Sequence, residues 1–228
     1  MKKIFEKIGK RFHRTYTIKQ WLFISVLFSL NLLLTRMIMS GRLSYGFLAW
    51  NLVLAFVPYF ISDWLSRRPH ILKQKWKLLP IVFLWLLFMP NSFYILTDLF
   101  HLETISNGHP WFDLTLTLSF AWNGILVGVL SIRQMETILK KGKGKFVSDI
   151  VIAAVMWLNA FGVYIGRFLR FSSWDVFINP FSLLKEIDNI VFSPYEYRYA
   201  WMMSFCFACF MIIIYYSIKK LSEEFKNG

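Results

Sequence analysis

Four polar residues near the end of a long apolar stretch, Asn91, Tyr94, Asp98 and His101, are spaced three, four and three apart. On a helix those steps return to one face, so the four form a stripe. Asp98 and His101 are its reactive members. Histidine titrates near neutral pH and a desolvated carboxylate shifts toward it, which suits either to act as base or nucleophile. Two further apolar stretches bring comparable groups. One opens on Trp111-Phe112-Asp113, and Asp113 shares a face with Thr117, Gly124 and Gly128, with Asn123 beside it. The other carries Asn159, Gly166 and Arg170 at helical spacing, flanked by Arg167 and followed by Asp175. Two guanidinium groups about one turn apart suit the fork-like recognition of a phosphate or carboxylate.

These residues support four readings. In a structural one, Asp98, Asp113 and Asp175 pair with Arg167 and Arg170 and fix how three helices dock, because charges inside lipid must be paired. In an enzymatic one, a hydrolase or transferase acts on a lipid or lipid-linked phosphate. Arg167 and Arg170 grip the phosphate, Asn91 and Tyr94 orient the headgroup, and Asp98, His101 or Asp113 supplies the catalytic group. A metal site would start from Asp98 and His101, with Glu103, His109 and Asp113 near in sequence. A catalytic zinc needs three ligands and an open position, and the His-Glu-x-x-His hallmark is absent. A small transporter would use Asn123 and Asn159 at mid-depth, although no inverted repeat is visible. No P-loop or dinucleotide motif occurs, so the sequence names no cofactor. Cys206 and Cys209, three apart in an apolar run, read as small apolar fillers, since a Cys-x-x-Cys acts as a redox motif only where thiolate is favoured.

The elements that must carry these groups are spanning helices. The chain has 228 residues, of which 57% are hydrophobic, 19% aromatic and 17% charged, with a mean hydropathy of +0.48. A soluble domain has about a quarter of its residues charged. Six apolar runs, at about 21–39, 47–65, 78–99, 112–132, 150–171 and 200–218, meet the roughly 20 residues needed to cross a bilayer. They are continuously apolar, unlike the alternating strands of a barrel. The sequence therefore predicts an all-α membrane bundle at 21–218 between a basic tail, 1–20, and a short C-terminal tail, 219–228. Pro90 is expected to interrupt the third run.

The net charge of +13 divides unevenly across this topology. The N-terminal tail, the second and fourth connections and the C-terminal tail hold twenty basic residues; the opposite side holds six, Arg36, Arg42, Arg167, Arg170, Lys185 and Arg198. By the positive-inside rule both termini are cytoplasmic and the polar cluster faces outward. The basic character is thus an orientation signal, and no nucleic-acid partner is expected. The bilayer is the expected partner, with anionic lipid headgroups attracted by the Lys-rich tail; no protein partner is evident. No convincing small-x-small cleavage site follows the first run, which reads as an uncleaved anchor.

Gly124…Gly128 and Gly162…Gly166 each have the spacing that lets helix backbones approach closely, and they predict contact between the fourth and fifth spans. Trp21, Trp64 and Trp76 at one level and Trp50, Trp111, Trp174 and Trp201 at the other form an aromatic belt. Trp85, Trp122 and Trp157 fall deeper and are expected to pack against helices or an internal site. Within the longest connection, 172–199, Asn179-Pro180 starts a helix, Phe181, Leu184, Ile187 and Val191 form its apolar stripe, and Ser193-Pro194 ends it. That helix either lies on the outer interface or caps the bundle.

Several segments together resemble a bacterial membrane family known as domain of unknown function 1361. They are Pro90-Asn91-Ser92-Phe93-Tyr94-Ile95-Leu96-Thr97-Asp98-Leu99-Phe100-His101-Leu102, Trp111-Phe112-Asp113, and Ser119-Phe120-Ala121-Trp122-Asn123-Gly124. The stretch Gly162-Val163-Tyr164-Ile165-Gly166-Arg167-Phe168-Leu169-Arg170 with Ser173-Trp174-Asp175-Val176 completes the likeness. The family pattern often has Pro where Phe93 stands. The resemblance covers the chain from about the second span onward. It implies a multi-spanning protein of the bacterial cytoplasmic membrane and no particular activity.

Overall fold

A computed structural model describes residues 17–41, 43, 45–101 and 110–227. Most of the N-terminal tail (Lys2, Lys3, Lys7, Lys10, Arg11, Arg14), Arg42, Glu103, Gly108 and His109 lie outside the described residues, as do the side chains of His101, Lys141, Lys143 and Lys226. Among the described residues there is no strand. Nine α-helices follow one another: α1 Ile18–Ser40, α2 Gly46–Ser66, α3 Pro69–Leu72, α4 Lys75–Tyr94, α5 Pro110–Lys143, α6 Lys145–Phe168, α7 Asp175–Ile178, α8 Pro180–Phe192 and α9 Arg198–Asn227. A 3-10 segment, Ile95–His101, continues α4. Six of the helices (α1, α2, α4 with its extension, α5, α6 and α9) are long and apolar enough to cross a membrane.

Local chemistry sets the helix ends. Thr17 and Gln20 close a capping box on α1, and Gly41 ends it in the left-handed region at φ 63°. Pro180 occupies the first turn of α8, where its missing N–H costs nothing. Asn179, expected to cap that helix, instead accepts from the Ser182 hydroxyl at 3.1 Å. Pro90 does not end its helix. The α-helix runs on to Tyr94 and then tightens into the 3-10 segment, where Thr97 Oγ1 donates to the Tyr94 carbonyl at 2.6 Å.

Two of the prolines within spans, Pro58 and Pro90, are accommodated by serines from neighbouring segments. A proline ring pushes the carbonyls of the preceding turn out of the ladder. Three residues before Pro58, the Ala55 carbonyl accepts from Ser92 Oγ of α4 at 3.0 Å. Three residues before Pro90, the Leu87 carbonyl accepts from Ser173 Oγ at 3.2 Å. Such side-chain donors are what make proline tolerable where no water is at hand.

The fourth and fifth spans touch as expected, but the two glycine pairs do not make that contact. A Cβ on Gly124 would stand 2.5 Å from the Ser92 carbonyl oxygen, and one on Gly162 would stand 2.5 Å from Pro90 Cγ. Gly128 faces Phe93 and Gly166 faces the Tyr94 ring. Both motifs therefore close on α4, from opposite sides, rather than on each other. The segment from Pro90 to Ile95 is the wedge of the bundle, and its bulky and kinked side chains need the space the glycines leave.

Two apolar clusters form the core. One joins α4, α5, α6 and α9 around Met89, Phe93, Met156, Met211 and Tyr215; the other joins α1, α2 and α5 around Leu48, Leu52, Ala55, Leu116 and Phe120. Of the three deeper tryptophans, Trp85 is buried and donates to Ser131 Oγ at 2.8 Å. Trp157 stacks with Phe161 and Trp201. Trp122 departs from expectation: it is 51% exposed on the outside of α5. The helix carries its small residues Ala121 and Gly124 toward its neighbours and turns Trp122 away.

Candidate functional site

The residues singled out by spacing divide into separate groups. Asp98 is 1% exposed and sits between two donors. Asn51 Nδ2 of α2 donates to Oδ2 at 2.9 Å, and Arg167 Nη1 of α6 donates to Oδ1 at 3.4 Å. Arg167 also lies 5.9 Å from the Tyr94 ring centroid and 5.8 Å from that of Phe100. The 3-10 turn makes this arrangement, because three residues per turn instead of 3.6 redirects Asp98 relative to Tyr94. His101 closes the same segment, one such turn after Asp98.

Asp113 belongs elsewhere. Its partner is Arg36 of α1, with Nε to Oδ1 at 2.5 Å and Nη2 to Oδ2 at 3.0 Å, a bidentate pair in which both residues are buried. The guanidinium also lies 5.3 Å from the Tyr45 ring centroid. Burial pushes the Tyr45 phenol above its ordinary value, and the nearby Asp113 carboxylate adds to the effect. Among the described residues Asp175 is not paired with an arginine either. Its Oδ2 accepts the backbone N–H and hydroxyl of Ser172, a local clasp that opens α7. The expectation that three aspartates share Arg167 and Arg170 is therefore corrected to one ion pair, Asp98 with Arg167. Arg36 lies four residues before the end of α1. A charge that deep in an apolar run needs a partner, and this was the available signal for it.

Arg170 makes no ion pair among the described residues and is exposed. It follows the end of α6 with φ 60°, a left-handed position where glycine is the usual occupant. Asn123 and Asn159 lie in the core and not at this site. Asn123 donates to Ser29 Oγ of α1 at 2.8 Å, and Asn159 points toward Met211 of α9.

Around Arg167 and Arg170 the structure opens a groove of about 940 Å³. Trp50, Asn51 and Leu54 of α2 form one wall; Phe83, Leu86, Leu87, Pro90, Asn91 and Tyr94 of α4 form the floor. Leu158, Phe161, Gly162, Ile165 and Gly166 of α6 form the other wall. The segment Arg170–Trp174 closes the polar end, and Val176, Leu183 and Ile187 lie across it. The site is thus built by α2, α4 and α6 with the α7–α8 connection, whereas spacing pointed to the third, fourth and fifth spans. Asn91 Nδ2 donates to Ser173 Oγ at 3.0 Å, tying the floor to the connection. Trp201 Nε1 donates to the Ile190 carbonyl at 3.2 Å and holds α8 in place. That helix meets the protein through Leu183, Ile187 and Ile190, while Phe181, Leu184 and Val191 of the expected stripe stay exposed.

The groove is apolar over most of its length and polar at one end. From Phe83 to Tyr94 its floor is about 16 Å long at 1.5 Å per residue. Asp98 is not on its surface. It lies behind Arg167 and Asn51 and holds both in position. Among the described residues no group of three or more His, Cys, Asp or Glu is placed to hold a metal.

Six spanning-length helices, three of which wall an apolar groove with a charged end, define a polytopic membrane protein of the helical-bundle class. The chain belongs to the family described as Protein of unknown function (DUF1361), whose sequence profile matches residues 50–214. Neither a curated protein nor a solved structure matches the chain. The matched span includes every groove-lining residue and leaves out α1, which supplies Arg36.

Proposed function

We propose that the protein binds an anionic amphiphile, a lipid or lipid-linked phosphate, with its hydrocarbon chain in the groove and its headgroup at Arg167 and Arg170 in the outer leaflet. The carrying observation is the pairing of an apolar channel with an arginine, Arg170, that has no carboxylate partner among the described residues. Arg167 adds a guanidinium already oriented by Asp98, so less ordering remains to be done on binding. Asn91, Tyr94, Ser172 and Ser173 supply headgroup contacts from the same end. The charge asymmetry of the chain supports placing this end outside.

Dodecyl phosphate tests the reading, because its single chain matches the groove floor and its head is a phosphate monoester. It should raise the melting temperature of the purified protein, whereas the uncharged dodecanol should not. Arg170→Gln should weaken the phosphate effect about tenfold, as expected for losing one charge-assisted hydrogen bond. Equal stabilisation by both probes, or an unchanged response in Arg170→Gln, would sink the proposal.

A hydrolase or transferase reading rests on the 3-10 register that sets His101 one turn after Asp98. Under it, His101→Ala keeps dodecyl phosphate binding and thermal stability but abolishes turnover of the bound phosphate. Retained turnover in that variant would remove His101 from the chemistry.

A further inference from the structure

At the opposite end of the bundle α5 and α9 build a second charged cleft of about 370 Å³, lined by Arg133, Glu136, Thr137, Lys140, Lys219 and Glu223. Both helices are longer than a bilayer requires. At 1.5 Å per residue the 34 residues of α5 extend about 51 Å and the 30 of α9 about 45 Å, against about 30 Å of hydrocarbon. About 20 residues inward from Phe112 on α5 lies Arg133, and the same count from Arg198 on α9 reaches Lys219. The cleft therefore stands at headgroup depth.

Its carboxylates are already engaged. Glu136, 3% exposed, accepts from Lys219 Nζ at 2.5 Å and Tyr215 Oη at 2.8 Å, and lies 3.1 Å from Lys140 Nζ. Glu223 is 3.4 Å from Lys220. Four cations, Arg133, Lys140, Lys219 and Lys220, thus stand around Glu136 and Glu223, with Asp149 of α6 a third carboxylate within electrostatic reach of Lys140, and Arg133 makes no ion pair among the described residues. Glu136 works as an anchor: it fixes two lysine side chains in the cleft without neutralising the whole of its charge.

We propose that this cleft is a second binding site, specific for the net-negative headgroup of an anionic phospholipid in the adjacent leaflet, with Arg133 and Lys140 as its principal contacts. Basic pockets between spanning helices recognise acidic lipid headgroups in this way. The site is independent of the groove, which lies at the other end of the bundle and is built by α2, α4 and α6. A lipid held here would bridge α5 and α9, which otherwise meet at this level through the Glu136 network.

Native mass spectrometry of the full-length protein in neutral detergent, titrated with phosphatidylglycerol or phosphatidylcholine of equal chain length, tests the proposal. Phosphatidylglycerol should be retained about tenfold better, and Arg133→Gln should lower that preference about fivefold. Arg133→Lys, which keeps the charge, should retain most of it. The loss in Arg133→Gln should appear equally in an Arg170→Gln background, where the groove's own grip on anionic headgroups is weakened, which separates this cleft from the groove. No preference between the lipids would overturn the proposal, and so would a preference lost in Arg170→Gln but kept in Arg133→Gln. Displacement of the lipid by about 10 mM inorganic phosphate would overturn the lipid assignment in favour of a soluble anion. Melting curves of each variant establish that it is folded before its binding is compared.

Discussion

Arg170 combines two features that seldom coincide: a guanidinium with no ion pair among the described residues and a left-handed backbone. A side chain with a Cβ in that conformation costs about 1–2 kcal/mol, whereas glycine costs about 0.5–1 kcal/mol through its freer unfolded chain. Arg170→Gly should therefore leave stability unchanged or raise it by up to about 1 kcal/mol, while weakening anionic ligand binding. Chemical unfolding beside a binding assay checks the two halves separately. A clear loss of stability would mean that Arg170 holds the fold. Asp113 behaves in the opposite way. Its pairing with Arg36 is buried, so Asp113→Asn strands a guanidinium and should cost about 3–5 kcal/mol. The double change Arg36→Met with Asp113→Leu removes both charges and should recover most of that loss. Folded yield and melting temperature in detergent report it. If the double variant is as unstable as the single one, the pair does more than neutralise itself.

At the scale of elements, the α4 wedge decides the architecture. Its prolines, serines and glycine neighbours act as sets: Pro58 with Ser92, Pro90 with Ser173, and Gly124 and Gly162 against the kinked segment. Ser92→Ala should cost about 1–3 kcal/mol, because the Ala55 carbonyl displaced by Pro58 loses its donor. Pro58→Ala restores the helical N–H, so in that background the Ser92→Ala penalty should shrink. A double-mutant cycle measures the coupling, and strict additivity would refute the proposed pairing. These relations also mark how far sequence reasoning reaches. The six apolar runs, the shared face of Asn91 and Tyr94 and the two arginines were legible because each follows one helix's own period. The partners were not. Which helix faces Gly124, whether Asp113 meets Arg167 or Arg36, and that Asn51 reaches Asp98 all depend on helix rotation and neighbour order, which periodicity along one helix does not encode. The shift from 3.6 to three residues per turn at Ile95 escaped for a related reason: no glycine or proline marks it, only the Thr97 hydroxyl competing for a carbonyl.

For the whole molecule, the groove and the proposed lipid cleft occupy opposite ends, and their charges differ in kind. The groove end has fewer charges, and among the described residues its ion pairs are Arg36 with Asp113 and Arg167 with Asp98. The other end concentrates lysines and arginines around Asp63 and Glu136. Basic residues resist translocation, so the lysine-rich end should be cytoplasmic and the groove should open to the outside. Cysteine accessibility tests this directly. Cys206 and Cys209 are exposed on α9 and must first be replaced by serine to give a silent background. A cysteine at Gly108, in the connection before α5, should then react with an impermeant maleimide in intact cells. A cysteine at the exposed Lys73, just after α3, should react only once the membrane is permeabilised. The reverse pattern would move the groove to the cytoplasmic leaflet and with it the source of its ligand. It would leave the shape and charge of both sites unchanged, because those follow from helix packing and not from the direction of insertion.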